Sequence, residues 1–149
     1  MQLEKSFQTK HLSFYCAAVE SELSLPFVAE GIRAGFPSPA DDFLDLDIDL
    51  NKHLIKNPST TFYARVKGHS MNGAGIHDGD LLIIDKSLEA RNNKIAVCFI
   101  DGEFTVKRIR IEKDLVWLLA ENEDYPPIKV TKDCEFIIWG IVTNVIKYF

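Results

Sequence analysis

Beyond residue 60 the chain is a succession of short apolar runs cut apart by turn residues, a spacing that suits strands and leaves hardly any room for helices. Phe62, Ala64 and Val66 alternate with Tyr63, Arg65 and Lys67, as on a strand with one face buried. Leu81 to Ile84 and Ile95 to Ile100 are continuous apolar runs bounded by His77-Asp78-Gly79-Asp80 and Asp101-Gly102, so they read as strands covered on both faces. Asp101-Gly102 is a strong hairpin signal. Its second arm is Phe104 to Ile111, followed by Leu115 to Leu119 and by the run Cys134 to Ile146, in which Gly140 marks a bend or bulge. The expected fold is mainly β, a compact antiparallel sheet or barrel over residues 41–149.

Upstream the pattern weakens. Leu12 to Val19 is ambiguous between strand and helix, and Pro26, Gly31, Gly35, Pro37 and Pro39 break up the residues after it, so residues 1–40 read as an extended N-terminal arm. Asp41, Asp42, Asp45, Asp47 and Asp49 alternate with Leu44, Leu46 and Ile48, which is strand spacing written with a residue that disfavours strands. Such a strip is either a solvated edge or an acidic docking surface. Leu50 to Lys56 fits a short helix, with Asp49 or Asn51 as N-cap and Pro58 closing it.

Composition narrows the function. At 149 residues and 46% hydrophobic content the chain supports one core rather than two. A net charge of -5 argues against a surface built to neutralise phosphates, hence against direct sequence-specific DNA binding. Cys16, Cys98 and Cys134 are an odd number without C-x-x-C spacing, which suggests neither a disulfide framework nor a zinc site and fits a reducing cytoplasm. No apolar run approaches a membrane span, and the first residues do not lead into a signal-peptide core. No metal or cofactor motif stands out: His69 and His77 lack metalloprotease spacing, and there is neither a Walker loop nor a dinucleotide fingerprint.

A serine remains. Gly68-His69-Ser70-Met71-Asn72 places Ser70 directly after a strand, but neither G-x-S-x-G nor S-x-x-K is matched, since position 72 is Asn and position 73 is Gly. On the strand Phe104 to Ile111, Lys107 shares a face with Thr105, Ile109 and Ile111. A lysine among apolar neighbours loses hydration of its charged form, so a neutral amine becomes available as a base for Ser70. Period alone leaves the alternative open that Lys107 snorkels at a strand edge and Ser70 caps a turn.

Three strings carry a resemblance: Gly68-His69-Ser70-Met71, then Gly75 to Asp85, then Asp101-Gly102-Glu103-Phe104-Thr105-Val106-Lys107-Arg108. Over about residues 32 to 147 the chain resembles the LexA/UmuD family of self-cleaving Ser-Lys peptidases. The resemblance implies that Ser70 is the nucleophile and Lys107 its base. Ala34-Gly35-Phe36-Pro37 is similar to the family's scissile segment, which makes Ala34-Gly35 the candidate bond. Ser70 stands 35 residues after Gly35, and Lys107 stands 37 after Ser70, spacings like those of the UmuD/MucA branch. The 34 residues before the bond, with Pro26 among them, are too few for the helix-turn-helix domain of the repressors. Membership of that branch implies a homodimer, cleavage stimulated by a RecA filament on single-stranded DNA, and association of the trimmed form with a Y-family, UmuC-like polymerase subunit for translesion synthesis in the SOS response. Nothing in the family accounts for residues 1 to about 22.

The remaining expectations are local. Gly68 and Gly73 around Ser70 are expected to allow positive φ and close approach of another backbone, that of the arm lying across the serine. The N–H groups of His69 and Ser70 are the candidate oxyanion donors. The His69 side chain is expected to face solvent and Met71 to pack as wall. Trp117, Trp139 and Phe136 read as core or dimer-interface residues. The apolar strand Phe136 to Ile146 is expected to leave an edge that a second copy covers. A competing hypothesis from another class is a non-catalytic binding module whose Ser-Lys pair is vestigial and which regulates a polymerase or repressor partner.

Overall fold

The two continuous apolar runs lie inside a sheet, which is why they carry no polar face. The computed structural model describes residues 5–8, 12–17, 21–27 and 46–149. In chain order the strands are β1 (Lys5–Gln8), β2 (Leu12–Cys16), β3 (Ser24–Phe27), β4 (Leu46–Asp49), β5 (Thr61–Val66), β6 (Leu81–Asp85), β7 (Ile95–Ile100), β8 (Glu103–Glu112), β9 (Leu115–Leu119), β10 (Ile128–Val130) and β11 (Phe136–Ile146). One short helix, α1 (Leu50–Leu54), follows β4. Nine strands form an antiparallel sheet in the order β1-β2-β5-β6-β11-β7-β8-β9-β10. The outer strands β1 and β10 do not pair with each other, so of the two expected architectures the sheet is formed and the closed barrel is not.

Alternation divides the core. Leu82, Ile84 and Val97 join Leu12, Phe14, Val66, Met71 and Val106 in one apolar cluster, whereas Ala96 and Cys98, pointing the other way from β7, join Ile109, Leu118 and Ile141 in a second. The hairpin between β7 and β8 has the expected two-residue turn: Asp101 and Gly102 take φ of +46° and +88°, and Ile100 pairs with Glu103.

Two expectations are corrected. Strand β11 is not an edge: it pairs with β6 on one side and β7 on the other, and Trp139 packs against Phe14, Phe62 and Phe104 in the first cluster. Apolarity reported burial but could not report that the covering came from strands of the same chain. Its register shifts at Ile138/Gly140 supply the expected bulge, and a Cβ at Gly140 would stand 2.6 Å from Ile84 Cγ2. The other correction concerns residues 12–16, read as part of an arm. They form β2, paired with β5 from Leu12↔Val66 to Cys16↔Phe62, with Leu12 and Phe14 fully buried.

Residues 18–58 make a separate unit. Here β3 pairs with β4 from Ser24↔Asp49 to Phe27↔Leu46, so the alternation of Asp47 and Asp49 with Leu46 and Ile48 is that of a strand. The Asp49 side chain caps α1 by accepting the Asn51 N–H at 3.0 Å. Asp41, Asp42 and Asp45 lie outside the described residues.

Candidate active site

Strand β5 delivers the chain to a tight loop that carries Ser70. Gly68 turns it with φ of +103°, as expected from its lack of a Cβ, and its N–H is held by Asp78 Oδ1 at 2.7 Å. Met71 and Ile76 anchor the loop in the first apolar cluster, leaving Ser70 half-buried and His69 exposed. The other side of the loop is held by the residues after β9. Glu121 N–H donates to the Ser70 carbonyl at 2.8 Å, Gly73 N–H donates to the Glu121 carbonyl at 2.7 Å, and Asn122 Nδ2 donates to the His69 carbonyl at 2.9 Å. Gly73 does not take positive φ; its lack of a side chain admits Glu121, since a Cβ would meet the Glu121 carbonyl oxygen at 2.6 Å. The backbone that approaches Gly73 is that of Glu121, whereas the scissile segment expected to lie across Ser70 falls outside the described residues. The Glu121 carboxylate pairs with Arg108, which also donates to the Asn93 carbonyl at 2.8 Å.

Strand β8 supplies the partner. Lys107 is only 6% exposed, and its Nζ lies 3.1 Å from Ser70 Oγ, 2.8 Å from Thr105 Oγ1 and 3.0 Å from the Val106 carbonyl. Thr105 is its neighbour two residues back on the same face of the strand, as the period requires. Burial pushes the ammonium pKa down from its ordinary value. The Cys98 thiol works the other way through its charge, but burial raises that thiol to about 12, so it is uncharged at neutral pH and burial prevails. The pair opens into a cavity of about 380 Å³, whose apolar walls include Leu12, Val66, Met71, Tyr125 and Ile128.

Such an arrangement suits proton transfer from a hydroxyl to an amine. The Val106 carbonyl can only accept, so it takes one N–H of Lys107, and Thr105 Oγ1 can take a second. In the neutral amine the lone pair then faces the remaining contact, Ser70 Oγ. The snorkelling alternative is set aside by the burial of Lys107 and by this fixed ring of acceptors.

Sequence reading brought Ser70, Lys107, His69 and Met71 together, and the structure gathers them at one site. Ala34 and Gly35 lie outside the described residues. Glu121, Asn122 and Leu12 did not stand out in the sequence. The first two act through main-chain and amide groups that any loop offers, while Leu12 stood in a segment without a sustained period. Trp117 is half-buried on β9 beneath Lys129, and Phe136 packs on the second cluster.

Comparison with known proteins agrees over most of the length. The model of the Peptidase S24-like family matches residues 26–143. Protein MucA of Escherichia coli is 41% identical over 122 residues, 81% of this chain and 83% of that protein. Protein SamA of Salmonella typhimurium is 41% identical over 118 residues, 79% of this chain and 81% of that one. The LexA repressor of Shewanella denitrificans is 38% identical over 129 residues, 86% of this chain but 62% of the repressor.

Proposed function

The chain belongs to the Peptidase S24-like family, in the UmuD/MucA branch of the LexA/UmuD group, and we propose that it is a serine peptidase that cuts its own Ala34-Gly35 bond with Ser70 and Lys107. The observation that carries this reading is the 3.1 Å approach of a buried lysine amine to a serine hydroxyl inside an apolar-walled cavity. Neutral Lys107 takes the hydroxyl proton as Ser70 Oγ attacks the Ala34 carbonyl carbon. The resulting ammonium gives that proton to the departing Gly35 amine, leaving an Ala34 ester on Ser70. Water, deprotonated by the same amine, then hydrolyses the ester and restores the serine.

The oxyanion needs donors at the serine. The His69 carbonyl is tied to Asn122, and across a trans peptide the Ser70 N–H points opposite to that carbonyl. It serves, with the His69 N–H, as the proposed donor pair.

The biological setting follows the branch. A RecA filament on single-stranded DNA favours the conformation in which the scissile segment lies over Ser70, and the cleaved homodimer joins a UmuC-like, Y-family polymerase in the SOS response. With β11 interior, the homodimer rests on the branch alone. Among the described residues no helix is long and apolar enough to cross a membrane.

Ser70→Ala and Lys107→Ala are each expected to abolish self-cleavage with the circular dichroism of the fold unchanged, because nucleophile and base act as a unit. A Lys107→Ala protein that cleaves at the wild-type rate would transfer the base role elsewhere and overturn the reading.

A further inference from the structure

Strand β2 lies upstream of residues 26–143, the part that the family model matches, yet it builds one wall of the candidate site. It runs antiparallel along the whole of β5, the strand that leads to Ser70. Leu12, 1% exposed, lines the cavity that holds Ser70 and Lys107. Phe14, fully buried, sets its ring 5.0 Å from Phe104 and 4.7 Å from Trp139, edge to face. Within the separate unit of residues 18–58, a second set of contacts spans the same point in the chain. There β3 pairs with β4, and Asn51 Nδ2 donates to the Ser21 carbonyl at 3.1 Å. Cutting at Ala34-Gly35 therefore severs one covalent link between segments that are also joined by two strand ladders.

We propose that residues 1–34 stay bound after the cut, so that the processed protein is a two-piece complex in which β2 still occupies the β5 edge and Leu12 still walls the groove. The site of the cut rests on the function proposed above; the retention rests on the strand pairing. Departure of β2 would open Ala64, Val66, Val106 and Trp139 to water and leave the β5 edge unpaired, both unfavourable. The surface that holds the segment is thus a sheet edge beside an apolar row. It takes an extended strand with large apolar side chains at alternate positions, and the chain carries that strand itself.

The test uses the full chain with the recognition sequence of a specific protease inserted between Ala34 and Gly35, on a Ser70→Ala background, so that cutting does not depend on self-cleavage. Denaturing gels should show two pieces, and native mass spectrometry at micromolar concentration should show one species with the mass of both. Phe14→Ala should weaken retention by roughly a hundredfold or more, as expected for emptying a buried aromatic site. Leu12→Ala, a smaller change in a chain that folds before it is cut, should release the piece on dilution. An upstream piece that leaves the unsubstituted protein at once, or that is held equally well with both substitutions, would overturn the proposal. Failure of the wild-type chain to cut itself would count against the proposed function alone, because the engineered cut still reports on retention.

Discussion

Glu121 donates its main-chain N–H to the carbonyl of Ser70 at 2.8 Å and accepts the Gly73 N–H at 2.7 Å, so the loop that carries the serine is held from both ends by one residue of a distant segment. Gly73→Ala puts a methyl group into that grip, 2.6 Å from a backbone oxygen that cannot rotate aside. The substitution is expected to destabilise the fold by about 1–3 kcal/mol, the usual range for overpacking. It should also slow self-cleavage at temperatures where the protein remains folded. Thermal melting beside a cleavage time course checks both, and wild-type cleavage in a destabilised protein would show that the grip does not position Ser70.

Arg108 links this grip to the strand of Lys107, since it follows Lys107 on β8 and pairs with the Glu121 carboxylate. Each partner is 29% exposed at the side chain, so the pair is worth about 1 kcal/mol. Arg108→Met is therefore expected to slow cleavage about fivefold, the rate equivalent of that energy, without moving the pH midpoint. A shifted midpoint in the pH–rate profile would mean that Arg108 acts on the amine of Lys107 rather than on the position of Ser70.

Much of this was legible in the sequence, for reasons that differ by residue. The runs Leu81 to Ile84 and Ile95 to Ile100 announced burial on both faces because no polar residue relieves them. Asp101-Gly102 announced its turn because few other pairs accept two consecutive positive φ values. Lys107 stood out as a charge on an apolar row. What stayed hidden depends on which strands become neighbours. Period says that β11 is buried, not that β6 and β7 enclose it. Leu12 and Phe14 have the alternation of a strand, but over too few residues to outweigh the prolines and glycines after them. Glu121 and Asn122 are ordinary loop residues until the fold brings them to Ser70.

Asp80 ties the last residues of the chain to the turn before β6. Its carboxylate accepts the His77 N–H at 2.8 Å and the Lys147 ammonium at 2.5 Å. Burial works against the carboxylate, but the hydrogen bond and charge of Lys147, with the His77 N–H, outweigh it and hold its pKa below the ordinary value. A depressed folded pKa means stabilisation that is present above the unfolded value of about 3.9 and is lost as the pH falls through the lower, folded one. Asp80→Asn should cost about 1–3 kcal/mol at neutral pH, as for a broken charged hydrogen bond, and clearly less near pH 3. Urea unfolding at the two pH values measures it. An equal cost at both would remove the charge from the explanation.

In the proposed mechanism the neutral amine of Lys107 activates Ser70 to cut after Ala34. Intact-mass analysis of self-cleavage, followed from pH 7 to above pH 10, tests bond and base together. The product is expected to run from Gly35 to Phe149. Its rate of formation should climb with pH as the ammonium loses its proton, levelling at a midpoint below the ordinary lysine value of about 10.4, because burial lowers that pKa. A histidine base would level off near its own pKa of about 6.5. A RecA filament should raise the rate far more at pH 7 than at pH 10. A rate that does not change with pH, or a wild-type chain that stays intact across the whole range and with the filament added, would contradict the mechanism and leave a non-catalytic binding module in its place.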